Sequence, residues 1–362
     1  MRSGFVLVLA LVGCGSDDSA GPADTRPADV ATEVPADVTV DVVSEAAEDA
    51  VTPPTSKVPP PRPTATGSGT TKWYAFTRVD LGGFTRATHA PSTDAWRGYG
   101  YDLDGRATTA ADSAESKGSC KRAAGSSSAV LADGLDGIDN NFGARILPLV
   151  SSVSPDAEKI ANDNLAAGQW TLLLRLDNVG PVDNASVPGA LYVGHSWDGT
   201  RWQIADVSTL DGATVDKPKV RLDQGYMAGG LWVSNELGKE TLPVTLVMFG
   251  VATTFPLESG VISVRVSDGL QGTVAGGTVT TELLAAFAPL LETFGICKGS
   301  STFEFFAKAV AASPDLVSRA PKLQDPTKSC DAVSQGLGFE MKPTIAPTVV
   351  AKVPASPPSL CP

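Results

Sequence analysis

Between Gly168 and Val279 the chain is a succession of short apolar runs, each closed by glycine or by Asp/Asn turn residues. GQWTLLLRLDNVG (168–180), ALYVGHSWDGTRWQIADV (190–207), GYMAGGLWVSNE (225–236), LPVTLVMFGVATTFPL (242–257) and GVISVRVSDGLQGTV (260–274) have the length and composition of strands. A parallel sheet needs a crossover of a dozen or more residues between partners, usually a helix. No regular helical segments separate these runs, so antiparallel neighbours are favoured. The second run is a hairpin in itself, with Asp198-Gly199 at its turn. The pattern predicts a mainly β domain, an antiparallel β-sandwich of jelly-roll-like form.

The C-terminal third changes period. In TTELLAAFAPLLETFGIC, Leu283, Leu284, Phe287, Leu290, Leu291 and Phe294 fall on one helical face, and Pro289 is expected to kink or divide that helix. Ser301 and Glu304 have the spacing of a capping box ahead of a second helix that stops at Ser313-Pro314. These apolar residues read as core. VSQGLGFEM returns as a strand. The predicted globular domain spans residues 72–342, with its helical part at about 281–320, and residues 343–362 form a Pro-rich tail.

The N-terminus has a different character. Arg2 precedes an apolar stretch, Phe5 to Val12, that is too short to cross a bilayer as a helix. It ends in Leu11-Val12-Gly13-Cys14, which resembles a bacterial lipobox. That resemblance implies a signal peptide at 1–13, removed by cleavage, and acyl chains (palmitate-type) on Cys14. Two or more chains anchor a protein stably in a lipid bilayer. Gly15 in place of aspartate points to the outer membrane rather than the inner one. Residues 14–71 then form a tether: acidic, free of aromatic residues, Pro-rich and finally Gly/Ser/Thr-rich, with too little apolar surface to offset chain entropy. As a coil it would span roughly 40 Å or more.

Composition limits the partners. The formal net charge of −12 argues against nucleic acid, which requires clustered Lys and Arg. Besides Cys14 the chain has Cys120, Cys297, Cys330 and Cys361, an even set that in an exported protein implies two disulfides with three possible connectivities. Cys297 with Cys330 is the preferred pair, because the segment between them reads as a helical excursion returning to the core. Elimination leaves Cys120 with Cys361. No spacing is of the CxxC kind, so zinc has little support.

The candidate site is DGLDGIDNNFG, from Asp133 to Gly143. Asp133, Asp136 and Asp139 recur every third residue, followed by Asn140. Calcium takes six to eight oxygen ligands, and glycines let a loop curl until several converge. A second acidic turn with Asp102 and Asp104 is placed to contribute to the same ion. The run resembles the Asp/Gly/Asn calcium loops of extracellular repeat modules such as thrombospondin type 3, although it occurs once. It is not an EF-hand, since the twelfth position from Asp133 is Ala144. The competing reading is turn chemistry, in which Asp and Asn bond their own backbone and glycine takes positive φ.

Other chemistry has weaker support. Gly194-His195-Ser196 lacks the second glycine and the strand-to-helix context of a nucleophile elbow. His89 has no recognisable partner pattern. Trp96, Trp197 and Trp202 would stack on sugar rings if exposed, or pack the hairpin if not. The W..YGYDLDGRAT, DGLDGIDNNFG and GLGF segments together resemble large bacterial lipoproteins of myxobacterial type, which carry no known activity. The resulting expectation is a membrane-anchored cell-envelope lipoprotein presenting a binding or structural domain for a protein or glycan ligand, with calcium as a stabiliser and no catalytic residues assigned. The alternative is a glycosidase-like extracytoplasmic hydrolase with unidentified carboxylates.

Overall fold

The computed structural model describes residues 58–112, 118–122, 131–181, 183–238, 240–248, 250–266, 270–353 and 359–361. The predicted signal peptide, Cys14 and the tether up to residue 57 lie outside the described residues, as does much of the end of the tail.

The domain is mainly β. In chain order its strands are β1 (Thr70–Asp80), β2 (Cys120–Lys121), β3 (Trp170–Val179), β4 (Gly189–Trp197), β5 (Trp202–Ala205), β6 (Val220–Leu222) and β7 (Tyr226–Ala228). There follow β8 (Leu231–Val233), β9 (Leu242–Met248), β10 (Val251–Arg265), β11 (Gln271–Val279), β12 (Asp325–Ser329), β13 (Ala332–Pro343) and β14 (Val350–Ala351). The large sheet runs β14-β5-β4-β3-β1-β13-β11-β10-β8-β7, with β6 added beside β4 and β9 beside β10. β14 pairs with β5 in parallel, while β1 lies antiparallel between β3 and β13, and β13 between β1 and β11. The first and last long strands of the domain are therefore central neighbours. The short parallel pair of β2 and β12 stands apart.

β10 serves two partners along its length. Residues from 258 onwards pair with β11 and β8, whereas residues 251–257 pair only with β9. The change falls at Ser259, which has φ 51°, and Gly260. This corner folds the β9–β10 ribbon away from the sheet. Phe255 and Leu257 of the ribbon join the main core.

Four α-helices occur among the described residues: α1 (Leu147–Val153), α2 (Ala157–Ala166), α3 (Thr280–Thr293) and α4 (Ser301–Ala311). Pro289 does not divide α3, which continues to Thr293 and buries Leu283, Phe287, Leu290 and Leu291. The N-cap of α4 is Ser300 rather than Ser301. Its hydroxyl accepts from the Phe303 N–H at 3.2 Å, satisfying one orphan donor of the first turn. Phe287 is the hub of the core, with its ring 5.5 Å from Phe255, 5.6 Å from Phe306 and 6.1 Å from Phe142. Packing also begins upstream of Lys72. Arg62 donates to the Ala185 and Gln224 carbonyls at 2.6 Å each, and the Tyr226 hydroxyl donates to the Pro60 carbonyl at 2.6 Å. No described helix is long and apolar enough to cross a membrane.

The cysteine pairing corrects the sequence expectation. Cys120 is bonded to Cys330 and Cys297 to Cys361, in place of Cys297–Cys330 and Cys120–Cys361. The reason is the β2–β12 ladder. It sets Cys120 beside Asp325, and the Cys330 N–H donates to the Lys121 carbonyl at 2.9 Å. Cys361 is delivered to the end of α3 by the Leu360 N–H, which donates to the Glu292 carbonyl at 3.1 Å. The helical excursion does return to the core, but it returns to β2.

Candidate metal centre

The centre is assembled on one face of β13. Gly336 and Gly338 leave that face bare, and the chain at Tyr99 and Gly100 lies directly on it: a methyl at either glycine would fall on Tyr99. The following turn, Tyr101 to Gly105, is thus pressed against the sheet. The acidic run is then pinned to the same strand by its asparagines. Asn140 donates to the Gly336 carbonyl at 2.9 Å and accepts from the Gly336 N–H at 3.0 Å, while the Asn141 N–H donates to Ser334 Oγ at 2.7 Å.

Within this frame the two acidic turns meet. The Asp139 N–H donates to the Tyr101 carbonyl at 3.0 Å, and Asp139 Oδ2 accepts from Leu103 N–H at 2.6 Å and Asp104 N–H at 3.3 Å. Asp102 accepts from the Gly105 N–H at 2.6 Å, the bond of an Asx turn closed by a glycine with φ 77°. Asp104 accepts from the Arg106 N–H at 2.7 Å and from the Ser119 hydroxyl. Asp133 and Thr108 are tied reciprocally, Asp133 N–H to the Thr108 carbonyl and Thr108 N–H to the Asp133 carboxylate.

One carboxylate oxygen each from Asp102, Asp104 and Asp139 lie within 4.8 Å of one another. That is about twice a calcium–oxygen bond of 2.3–2.6 Å. A cavity of ≈ 30 Å³ is lined by Asp104, Asp139, Asp133 and Asp315, together with Ser119 and the Cys120–Cys330 disulfide. A space of this size holds a single ion or a water or two, but no sugar ring.

The electrostatics express crowding. Asp104 and Asp133 are each pushed up to about 7, by burial first and by neighbouring aspartates after it. Asp139 is held well above the carboxylate range by burial and then by the charges of Asp104, Asp133 and Asp315. Asp315 is also raised to about 7, chiefly by burial, although Ser334 donates to it through both N–H and hydroxyl. On the cationic side Arg122 lines the cavity, with Nη2 given to the Ala312 carbonyl at 3.1 Å and Nη1 buried without a partner. Among the described residues four aspartates therefore face one arginine around the space. Such an arrangement either holds protons or takes a cation.

Of the residues the sequence put forward, Asp102, Asp104, Asp133 and Asp139 come together. Asp136 does not: it is exposed, with φ 55°, in the 3₁₀ turn Leu135–Gly137. Asn140 is spent on the backbone, giving its amide to the Trp96 and Gly336 carbonyls and its oxygen to the Gly143 and Gly336 N–H groups. Asp315 was missed. Its only sequence signal is its place just after the helix-stopping Ser313-Pro314.

None of the other candidates lines this cavity. Trp202 is buried and Trp96 is half-buried; Trp197 is exposed, with Lys342 Nζ 6.0 Å from its ring centroid. Ser196 Oγ lies 3.3 Å from the His195 ring, but Asp198 accepts from the Thr200 and Arg201 N–H groups in the hairpin turn. His89 contacts Glu340 at 3.0 Å. No protein-family model matches the chain, and no curated protein or solved structure matches it.

Proposed function

We propose that this chain is a lipid-anchored cell-envelope protein, held through acylated Cys14 at the outer membrane, whose β domain serves binding or structure and is braced by one calcium ion at the aspartate centre. The cation reading is carried by the convergence of Asp102, Asp104 and Asp139 within 4.8 Å, where Asp104 and Asp139 line a cavity together with Asp133 and Asp315. The donors are hard oxygens. Both cysteines on the wall are spent in a disulfide, and no histidine lines the cavity, so the set suits calcium rather than zinc. The two disulfides support export to an oxidising compartment.

Equilibrium dialysis of the full chain against calcium tests the centre directly. One ion per chain is expected, with binding abolished by Asp104→Asn. A wild-type chain that takes up no calcium would leave a proton-holding cluster and end the cation reading. The anchor is tested separately by fractionation: Cys14→Ser should move the protein from the membrane to the soluble fraction, and a variant that stays with the membrane refutes acyl anchoring.

A further inference from the structure

A cavity of ≈ 250 Å³ lies on another part of the domain, lined by residues 219–222, residues 240–243, Ser234 and Asn235. Its walls are strands with a free edge. Among the described strands β6 pairs only with β4, and β9 only with β10. Register fixes what β9 offers. Pro243 stands opposite Pro256, and two residues without N–H cannot form a hydrogen-bonded pair. At that position the backbone therefore points away from β10, and the Pro243 carbonyl turns to the free edge.

Asn235 supplies an independent observation. It is 2% exposed, and its Oδ1 accepts from the Ser234 hydroxyl at 2.9 Å. Ser234 is fixed in turn by the Ile262 N–H, which donates to its Oγ at 2.9 Å. The Asn235 Nδ2 has no hydrogen-bond partner among the described residues, yet it is not among the fully enclosed orphan atoms. It is a buried side chain whose donor is open to the cavity. Lys219 and Glu240 line the same space, neither with an ion-pair partner among the described residues, whereas Arg221 is held by Asp223 at 2.9 Å.

From these features we propose that the groove binds a short extended peptide, added as a strand along the free edge of β9 or β6. A backbone carbonyl of the peptide accepts from Asn235 Nδ2, an acidic side chain meets Lys219, and a basic one meets Glu240. Strand addition draws affinity from main-chain hydrogen bonds and specificity from alternate side chains. The volume is below the roughly 300–1,000 Å³ of drug-sized ligand sites, which suits a few residues of chain rather than a bulky cofactor. The inference does not depend on the cation centre.

The test uses the full chain and a defined probe: a fluorescent pool of Val/Thr hexapeptides carrying one Asp and one Lys at varied positions. A matched pool is N-methylated at alternate amides. Anisotropy should report binding of the first pool and its loss in the second, with hydrogen exchange slowed at residues 219–222, 241, 242 and 244. Asn235→Asp, which keeps the acceptor and removes the donor, should weaken binding by roughly tenfold. Lys219→Glu is exposed and leaves the fold alone, so it should shift preference towards peptides with two Lys in place of Asp and Lys. No binding by the first pool, equal binding of the N-methylated pool, protection elsewhere in the chain, or an unchanged preference in Lys219→Glu would each overturn the proposal.

Discussion

Asp139→Asn and Asp136→Asn remove the same charge from the same acidic run, and the structure predicts opposite consequences. A cation that binds only the folded chain stabilises it by about 2.7 kcal/mol at a hundredfold excess over its Kd. Over the described span, 58–361, the unfolding entropy is roughly 0.6 kcal/mol/K, so the wild-type midpoint should rise by about 4 °C with calcium. Asp136 is exposed and does not line the cavity, so Asp136→Asn should keep that rise. Asparagine also tolerates the left-handed backbone found there. Asp139→Asn should lose it. In chelator, however, Asp139→Asn should melt at or above the wild type, because its amide oxygen still accepts from the Leu103 N–H and asparagine is neutral without having to take up a proton on burial. The curves therefore cross: the variant leads without calcium and the wild type leads with it. Calorimetry or circular dichroism on the full chain reads this directly. A rise retained in Asp139→Asn, or lost in Asp136→Asn, would refute the assignment of ligands.

Three further outcomes follow from other parts of the fold. Non-reducing peptide mapping should join Cys120 to Cys330; removing that bridge by the double alanine variant should cost roughly 5 kcal/mol in urea unfolding on the chain-entropy model, against roughly 4 for Cys297–Cys361, given sequence separations of 210 and 64. Glu158, buried beside Leu81 and Gly83, is raised by burial from 4.5 to about 7. Its folded state holds the proton more tightly, so its contribution is fully present below pH 4.5 and is lost as pH rises towards 7; Glu158→Gln should flatten that decline by up to about 1.4 kcal/mol per pH unit, measured in calcium against the wild type. Gly336→Ala would set a methyl on the Tyr99 carbonyl and should destabilise by about 3 kcal/mol in the same urea assay, whereas Gly98→Ala, whose added methyl meets nothing within 4 Å and whose backbone is not left-handed, should cost much less.

Much of the sheet was legible because its signals are local. Alternating apolar residues and Asp-Gly or Asn turns mark β3, β4 and β5 within a few residues of their ends, whereas β10 was divided between two runs at Gly260, and the helical stripe of α3 survives Pro289 because its buried contacts outweigh one lost backbone bond. What escaped depends on distant chain. The disulfides are chosen by a two-strand ladder joining residues 120 and 330, and no count of intervening residues contains that ladder. The acidic run shows the same limit more sharply. Spacing of three reads as one ligand set, yet a 3₁₀ turn uses that spacing to send the middle acid to solvent and the outer two inward. Asp315 enters only because Ser334 on β13 holds it where the loops are already pinned by Asn140 and Asn141. Asn140, which looked like a ligand, is with Asn141 a fastener, and the fastening creates the crowding of charge that a cation would relieve. A sequence can therefore show that oxygens are abundant in a loop; whether they converge is decided by the strand on which the loop is laid.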